Sequence, residues 1–351
     1  MELTLQKKCC FLNNMNILII GGTGFISGTL VKKLLAKGNT ITAFVRGKTE
    51  IKLSTTENLH YIFGDRNKDL SIAQTLSGKH FDAVYDMIAY KPEESLSAVK
   101  MFRNKIGRFI HCSTASVYMV SDEVKIPITE DQDKLPLMKN FPRNPFGMDY
   151  GINKRKCEEV LWGYHNEKSF PVSMIRPTFV SGPEDPAKRD FFWIERISDG
   201  NPLLLPGDGE YKFQQLFIED AAEAFANIIE TSVSIGEVYN AASEVVFTLN
   251  QYLNRLSDLM GKKTEKYYVD QKTFDELEFS YSNDGDVFPF NTRRDAVFSL
   301  EKIKRELNYR STPFDAWMQK TIYWFMNKYN GHSTGYSNRY KELELIEKLN
   351  K

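Results

Sequence analysis

The chain has 351 residues, enough for one large α/β unit or for two lobes. Its 46 lysines and arginines balance its 46 aspartates and glutamates, so it lacks the positive charge typical of a dedicated nucleic-acid or anionic-membrane binder. No apolar run approaches the roughly 18 to 20 residues that span a bilayer. The four cysteines show no CxxC spacing, which argues against a disulfide framework or a zinc site and predicts a reducing, cytoplasmic location.

From Asn16 onward, short apolar runs alternate with longer amphipathic stretches. This alternation predicts an α/β fold in which crossover helices join parallel strands. Residues 1–15 lack the long apolar segment of a secretory signal and are expected to be an N-terminal extension. The predicted strands, each expected to be buried on both faces, are 16–20, 40–45, 60–63, 81–86 and 108–113. The predicted helices are 24–37, 93–105, 149–167, 219–230, 299–307 and 314–328, followed by an amphipathic one near the C-terminus.

A glycine-rich turn, IGGTGFIS at 20–27, links the first predicted strand to the first predicted helix. Glycines let the backbone turn tightly and approach phosphate oxygens, whose charge the helix N-terminus stabilises. An ordinary strand-to-helix turn is the alternative, but the position after the first strand favours a dinucleotide site. The expected cofactor contacts are Gly21, Thr23, Gly24, Phe25 and Ile26.

The end of the second predicted strand bears on which dinucleotide binds. A carboxylate there would bond the ribose of NAD, but the sequence runs FVRGK at 44–48. The two cations favour NADP over NAD, with Arg46 as the expected contact; solvated surface charges are the alternative. Asp65 and Arg66 follow the third strand, where an adenine edge would be met, and a loop ion pair is an equal alternative.

Tyr150 and Lys154 stand four residues apart in a predicted helix, so both project from one helix face. An ammonium beside a phenol stabilises the phenolate and lowers the phenol pKa, which allows proton exchange with a substrate hydroxyl. This spacing is common by chance. It gains meaning because Thr114 follows the fifth predicted strand, where its hydroxyl would point over the same sheet edge.

Glycine, proline and aromatic residues become denser after Arg176. The change predicts a dinucleotide-binding domain at 16–175 and a smaller lobe at 176–330 that is interleaved with it. A tail with one helix is expected at 331–351.

Together these motifs resemble an extended short-chain dehydrogenase/reductase of the NAD-dependent epimerase/dehydratase type over residues 16–328. The matching segments are 21–26, 113–118, Tyr150 with Lys154, 176–177 with 182–183, 217–220 and 239–240. The resemblance implies a seven-stranded, doubly wound Rossmann sheet, a C-terminal α/β substrate lobe and a homodimer. It also implies that Tyr150 is the acid/base, that Lys154 binds the nicotinamide ribose, and that Thr114 bonds the reacting oxygen.

Departures from the family pattern narrow the expected chemistry. Sugar 4,6-dehydratases of this type carry Asp-Glu directly after the threonine, whereas Ala115 and Ser116 stand here and cannot supply that acid and base. Nucleotide-sugar epimerases usually place an arginine shortly before the 217–220 segment to clamp a diphosphate. Here Lys212, Arg293 and Arg294 are the candidate substitutes.

Three functions follow as hypotheses. The first is a nicotinamide-dependent epimerase acting on a sugar or nucleotide-sugar hydroxyl through a transient ketone. The second is an NADP-dependent reductase or dehydrogenase of a small carbonyl or sugar substrate.

The third hypothesis is a non-catalytic RNA- or protein-binding member of the same fold. The second lobe is similar to the branch that contains the chloroplast stem-loop RNA-binding proteins, notably at 190–192, 288–290 and 298–302. The densest basic cluster is Lys100, Arg103, Lys105 and Arg108, and a solvated face is its more ordinary interpretation. The neutral net charge argues against an RNA-binding role.

Overall fold

The computed structural model describes residues 14–68, 76, 78–141, 147–280 and 287–350, and a parallel sheet forms its centre. The strands are β1 (Asn16–Ile20), β2 (Thr40–Val45), β3 (Leu59–Phe63), β4 (Phe81–Asp86), β5 (Ile106–Cys112), β6 (Val172–Pro177), β7 (Phe179–Ser181), β8 (Leu203–Pro206), β9 (Lys212–Phe213), β10 (Gln215–Phe217), β11 (Val238–Ala241), β12 (Phe247–Thr248) and β13 (Lys266–Val269). Seven of them pair in the order β11-β6-β5-β4-β1-β2-β3, all parallel. The order reverses between β1 and β4, where a doubly wound sheet opens a crevice for ligands.

Helices cover both faces of this sheet. They are α1 (Phe25–Ala36), α2 (Pro92–Phe102), α3 (Ser116–Met119), α4 (Gly147–Asn166), α5 (Arg189–Ser198), α6 (Ile218–Asn227), α7 (Leu249–Met260), α8 (Gln271–Glu276), α9 (Glu301–Leu307), α10 (Phe314–Lys328) and α11 (Arg339–Leu349). Helices α1 and α6 pack on one face, and α2 and α4 on the other. The parallel sheet with crossover helices that the alternating pattern predicts is confirmed, as is the seven-stranded, doubly wound arrangement that the family resemblance implies.

Burial explains why the first strands could be predicted from the sequence. Strands β1, β2 and β4 are apolar on both faces because helices cover both sides. The expectation was wrong for β3, which lies at the edge of the sheet. There Phe63 is 61% exposed, because β3 has a neighbouring strand on one side only.

The second lobe has its own aromatic core, which contains Trp193, Phe213, Phe290 and Trp317. Its helix α7 begins with a capping box in which Thr248 and Gln251 exchange side-chain-to-backbone hydrogen bonds. It ends at Gly261, whose φ of +63° closes the helix in the left-handed region. Strand β11 belongs to the central sheet although it follows Arg176 in sequence.

The C-terminal segment packs against this lobe. Within α11, Glu342 is 1% exposed and accepts hydrogen bonds from the guanidinium of Arg196 in α5. Arg339 bridges Glu342 and Asp199. The helix expected in the tail is therefore held by a buried ion network.

Candidate active site

A cleft of about 970 Å³ lies between the carboxyl ends of the sheet strands and the second lobe. Gly24, Thr114 and Tyr150 line one side, and Phe179, Phe290 and Arg293 line the other. The glycine turn and the Thr114–Tyr150 pair thus open onto one space, as the sequence motifs predicted. Ligands in open α/β folds bind at this edge of the sheet.

The glycine turn is closed by Ser27. Its hydroxyl accepts a hydrogen bond from the Gly24 N–H at 2.9 Å and donates to the Gly21 carbonyl. Gly21 has φ +91°, and a Cβ there would lie 2.5 Å from Cγ2 of Ile88. Only glycine fits this position without displacing Ile88.

The first turn of α1 faces the cleft through Gly24, Phe25 and Ile26. The first N–H groups of a helix lack partners within the helix, and the helix dipole favours an anion beside them. A glycine cradle without side chains, a helix N-terminus and an adjoining cleft fit the pyrophosphate of a dinucleotide. Gly24, Phe25 and Ile26 are the residues placed to hold it.

Tyr150 lies at the start of α4, and its hydroxyl is hydrogen-bonded to that of Thr114. Thr114 directly follows Ser113 beyond the end of β5, and its Oγ1 also accepts the Ser116 N–H at 3.2 Å. Burial raises the pKa of Tyr150 to about 12, although the hydrogen bond from Thr114 opposes the shift. The sequence predicts the opposite direction for this pKa, and burial of the phenol explains the difference.

Lys154 is one turn along α4 but lies beneath the cleft, 2% exposed. Its Nζ donates to the carbonyls of Ala89 at 2.8 Å and Cys112 at 2.6 Å, and it lies 3.3 Å from Nε2 of His111. The Tyr90 ring lies 5.8 Å from the ammonium and 6.4 Å from the Tyr150 ring. Lys154 therefore sits behind Tyr150, bound to strand-end carbonyls.

The three residues at the ends of β2 and β3 have different environments. Arg46 is exposed and makes no hydrogen bond or ion pair within the described ranges. Asp65 accepts the backbone N–H of Asn67 at 3.0 Å. Arg66 is buried and forms a bidentate pair with Asp86 at 2.6 and 2.9 Å, so the ion-pair alternative describes Arg66.

The three cations predicted to bind substrate differ in their position relative to the cleft. Lys212 is exposed in β9 and does not line the cleft. Arg293 lines it but pairs with Asp275 at 2.6 and 2.7 Å. Arg294 lines it while donating to the Ser121 and Met119 carbonyls, both at 2.6 Å. The structure brings two of the three predicted cations to the site.

Sequence reasoning missed Arg189, a further cation of the cleft wall. Its guanidinium lies 5.5 Å from the Phe179 ring centre, and its charge favours ionisation of Tyr150. Arg189 begins α5 in a stretch without a recognisable motif, so no local signal identifies it. Its role depends on the second lobe folding over the sheet.

Several motif residues of the family pattern support the site from below. Arg176 is fully buried and binds Glu158 and Asp133. A further nitrogen of Arg176 donates to the Tyr118 hydroxyl, which in turn donates to Asn240 at 2.7 Å. These contacts tie β6, β11 and α4 together around the end of β5.

Two cations of the basic cluster near β5 have polar partners within the chain. Arg108 is half-buried and donates to the Ile228 carbonyl at 3.1 Å and the Ser234 hydroxyl at 2.8 Å. Arg103 pairs with Glu167 at 3.3 Å. Two of the four cations are thus engaged in intramolecular contacts.

A parallel sheet with a glycine turn after its first strand and a Tyr-x-x-x-Lys helix at its edge defines a Rossmann protein of the short-chain dehydrogenase/reductase class. The chain belongs to the NAD dependent epimerase/dehydratase family, whose sequence model matches residues 17–242. It is thus an extended member of that enzyme class, and its curated relatives include a dTDP-glucose 4,6-dehydratase and a trifunctional UDP-glucose 4,6-dehydratase, epimerase and reductase.

One curated relative and two solved structures show what this chain is similar to. The chloroplast stem-loop binding protein of 41 kDa b from Arabidopsis thaliana is 27% identical over 308 residues, which span 84% of this chain and 74% of that protein. UDP-glucose 4-epimerase from Thermotoga maritima, solved with UDP-glucose, has a TM-score of 0.69 at 22% identity, covering 89% of this chain and 99% of that one. UDP-glucuronic acid 4-epimerase from Bacillus cereus, solved with NAD, has a TM-score of 0.69 at 19% identity, covering 90% and 100%. The two solved structures share the fold of this chain.

Two further features concern membranes and metals. Across the described ranges, no helix combines the length and apolar character that crossing a bilayer requires. Within the same ranges, no group of three or more His, Cys, Asp or Glu side chains is arranged to hold a metal ion.

Proposed function

We propose that this protein is a nicotinamide-dependent epimerase of a sugar or nucleotide-sugar hydroxyl, with Tyr150 as the acid/base. The supporting observation is the hydrogen-bonded Thr114–Tyr150 pair, which lies in the same cleft as the glycine turn. A substrate hydroxyl placed between these two oxygens would meet both a proton acceptor and a second hydrogen-bond partner.

In the proposed mechanism, a nicotinamide dinucleotide held at Gly24, Phe25 and Ile26 would supply reversible hydride transfer at the carbinol carbon. Tyr150 Oη takes the carbinol proton, and Thr114 Oγ1 holds the same oxygen while the ketone exists. Tyr150 would then return the proton to the same oxygen as the carbinol re-forms with the opposite configuration. The mostly apolar walls, with Phe179 and Phe290, exclude water from the ketone.

Burial raises the pKa of Tyr150 to about 12, so proton transfer near neutral pH requires neighbouring charges that favour the phenolate. Arg189 already favours the phenolate, and a positively charged oxidised nicotinamide would add to that effect. Each positive charge stabilises the phenolate and so lowers the pKa of Tyr150, which offsets the rise caused by burial.

The substrate class follows from the cleft and from the relatives. UDP-glucose and UDP-glucuronic acid are named with the epimerases of similar fold. Arg293 and Arg294 are the groups of the cleft wall suited to a diphosphate. Because Arg293 is paired with Asp275, a diphosphate there would compete with that carboxylate.

The cofactor proposed is NADP or NAD, with NADP slightly favoured. The structure of the Bacillus cereus epimerase contains NAD. In this chain, Arg46 is exposed at the end of β2, where a 2′-phosphate would need a cation.

The central test is Tyr150→Phe, with Tyr164→Phe in the same helix as matched control. The variants are loaded with NAD or NADP and incubated with UDP-glucose or UDP-glucuronic acid, and epimer ratios are followed by NMR. We expect Tyr150→Phe to lose at least about a hundredfold in turnover while cofactor binding and Tyr164→Phe activity persist. Unchanged turnover in Tyr150→Phe would refute the acid/base assignment.

A reductase or dehydrogenase of a less polar carbonyl or sugar is the second candidate. The aromatic cleft walls and the engaged guanidinium groups of Arg293 and Arg294 favour it. It predicts NADPH consumption with ketones and no epimer formation with nucleotide sugars. A panel of both substrate types, read by absorbance and NMR, separates the two.

A binding role without turnover is the third candidate, favoured by the 27% identity to the stem-loop binding protein. It predicts RNA affinity that falls steeply with salt, measured by electrophoretic shift on structured RNA, and no hydride transfer with any sugar. We also propose a homodimer, as the family resemblance implies, and light scattering would show twice the mass of 40.5 kDa.

A further inference from the structure

A buried polar cluster lies between the sheet and helices α2 and α4, below the floor of the cleft. Asp86 pairs with Arg66. Glu94 accepts the backbone N–H groups of Tyr90 and Lys91 and lies 4.0 Å from Arg66. His111 and Lys154 complete the cluster.

The formal charges of this cluster balance while His111 is neutral. Two carboxylates, Asp86 and Glu94, face two cations, Arg66 and Lys154. Arg176, the third cation that acts on His111, has its own carboxylate partners, Glu158 and Asp133. A protonated His111 would add an unmatched positive charge on a side chain that is 0% exposed.

The ammonium of Lys154 has three protons, and the structure offers each one an acceptor. The carbonyls of Ala89 and Cys112 take two at 2.8 and 2.6 Å, and Nε2 of His111, at 3.3 Å, is the longest of the three contacts. An ammonium can only donate, so Nε2 must carry its lone pair. His111 is then the Nδ1–H tautomer, and its Nδ1 is buried without a partner.

No proton of Lys154 is left over in this arrangement, so a new acceptor must replace an existing one. Both carbonyls belong to the backbone: Cys112 is the last residue of β5, and Ala89 lies three residues beyond the end of β4. His111 provides the longest contact and the only side-chain acceptor among the three.

We propose that Nε2 of His111 accepts the third ammonium proton of Lys154 and gives it up to a ribose hydroxyl when the nicotinamide dinucleotide binds. His111 is therefore a positioning residue that acts through Lys154. This inference rests on the cofactor assignment of the proposed function, but the tautomer of His111 tests it separately.

The first experiment is ring nitrogen NMR of protein labelled with [15N]histidine. The chain has five histidines, and His111→Gln identifies the signal that belongs to His111. We expect a neutral Nδ1–H imidazole whose Nε2 is hydrogen-bonded and which does not titrate between pH 5.5 and 8. Lys154→Met should remove the Nε2 hydrogen-bond shift, and NADH added to the wild type should move Nε2 in the same direction. An Nε2–H tautomer, or an Nε2 signal indifferent to Lys154→Met, would overturn the inference whether or not NADH binds.

The second experiment measures NADH affinity by fluorescence for His111→Leu, His111→Gln and a control, His165→Leu. His165 lies near the end of α4 and contacts the Phe170 carbonyl, away from Lys154. His111→Leu leaves one ammonium donor unmet, and a ribose oxygen would satisfy it, so we expect about tenfold tighter binding and a lower Tm without ligand.

His111→Gln supplies an amide oxygen in place of Nε2 and should stay near the wild type, as should His165→Leu. If folded His111→Leu binds NADH more weakly than the wild type, His111 has a packing role, and the proposed replacement of Nε2 by a ribose hydroxyl is contradicted. If His111→Leu does not fold, the Nε2 shift on adding NADH to the wild type decides the question, and an unmoved signal in the bound protein refutes the proposal.

Discussion

Glu158→Gln should destabilise the protein strongly, because Glu158 is the main counter-charge of a fully buried guanidinium. Arg176 is 0% exposed and Glu158 is 2% exposed. Two nitrogens of Arg176 donate to the two Glu158 oxygens, one at 2.9 Å, and Ser113 donates to the same carboxylate. The amide keeps one acceptor oxygen but turns an NH2 group toward the guanidinium and removes the negative charge.

Breaking a buried pair from one side costs about 3 to 5 kcal/mol, since the remaining charge stays buried. Asp133, 2.7 Å from Arg176, retains part of the compensation, so the lower end of that range is expected. Urea unfolding monitored by circular dichroism gives the free energy. Glu159→Gln is the matched control, because Glu159 is next to Glu158 in sequence but its side chain is exposed. This variant should change the free energy of unfolding by no more than about 0.5 kcal/mol. Equal effects of the two variants would refute the assignment of Glu158 as a required counter-charge.

Three further predictions concern the cofactor site and the second lobe. Arg46→Glu should lower NADPH affinity while NADH affinity is kept or improved, measured by fluorescence titration; equal losses for both would count against a 2′-phosphate contact. Gly21→Ala should cost about 1 to 3 kcal/mol of unfolding free energy, because φ is +91° and the added Cβ meets Ile88; a Tm equal to that of Gly28→Ala, where a Cβ meets open space, would contradict this. Burial raises the pKa of Asp190 above its usual range, so the stability it contributes is complete below about pH 4 and falls as pH rises through the folded pKa. The variant Asp190→Asn cannot ionise at this position. Its free energy of unfolding minus that of the wild type should therefore rise with pH, by at most about 1.4 kcal/mol per pH unit. A constant difference between pH 4 and 8 would show that Asp190 does not titrate in that range.

Local patterns in the sequence were sufficient for the first half of the fold. Strands β1, β2 and β4 lie where their apolar runs predict them, because a strand covered on both faces must be apolar along its whole length. The glycine turn was equally legible, since a tight approach of backbone to Ile88 excludes other residues at Gly21. Tyr150 and Lys154 both lie in helix α4, and their four-residue spacing places them on one side of it.

The elements of the second lobe were harder to predict from the sequence, because its core is built from contacts between distant segments. Helix α5 was not predicted, although its residues Phe192 and Trp193 are completely buried against Phe288, about a hundred residues later. The structure gives Phe288 and Phe290 positive φ values, at +53° and +69°, which no sequence pattern announces. Local hydrophobic periodicity carries no information on such long-range partners.

The sequence by itself determined which chemical groups are present at the sheet edge: a glycine turn, a threonine hydroxyl, a phenol and an ammonium. Only the tertiary structure decided how they are engaged. It buries Lys154 on two carbonyls and His111, pairs Arg66 with Asp86 and Arg293 with Asp275, and brings Arg189 toward Tyr150. The physical reason is that residue type and spacing set what a side chain can bond, whereas burial and the partners supplied by remote segments set what it does bond and which way its pKa moves.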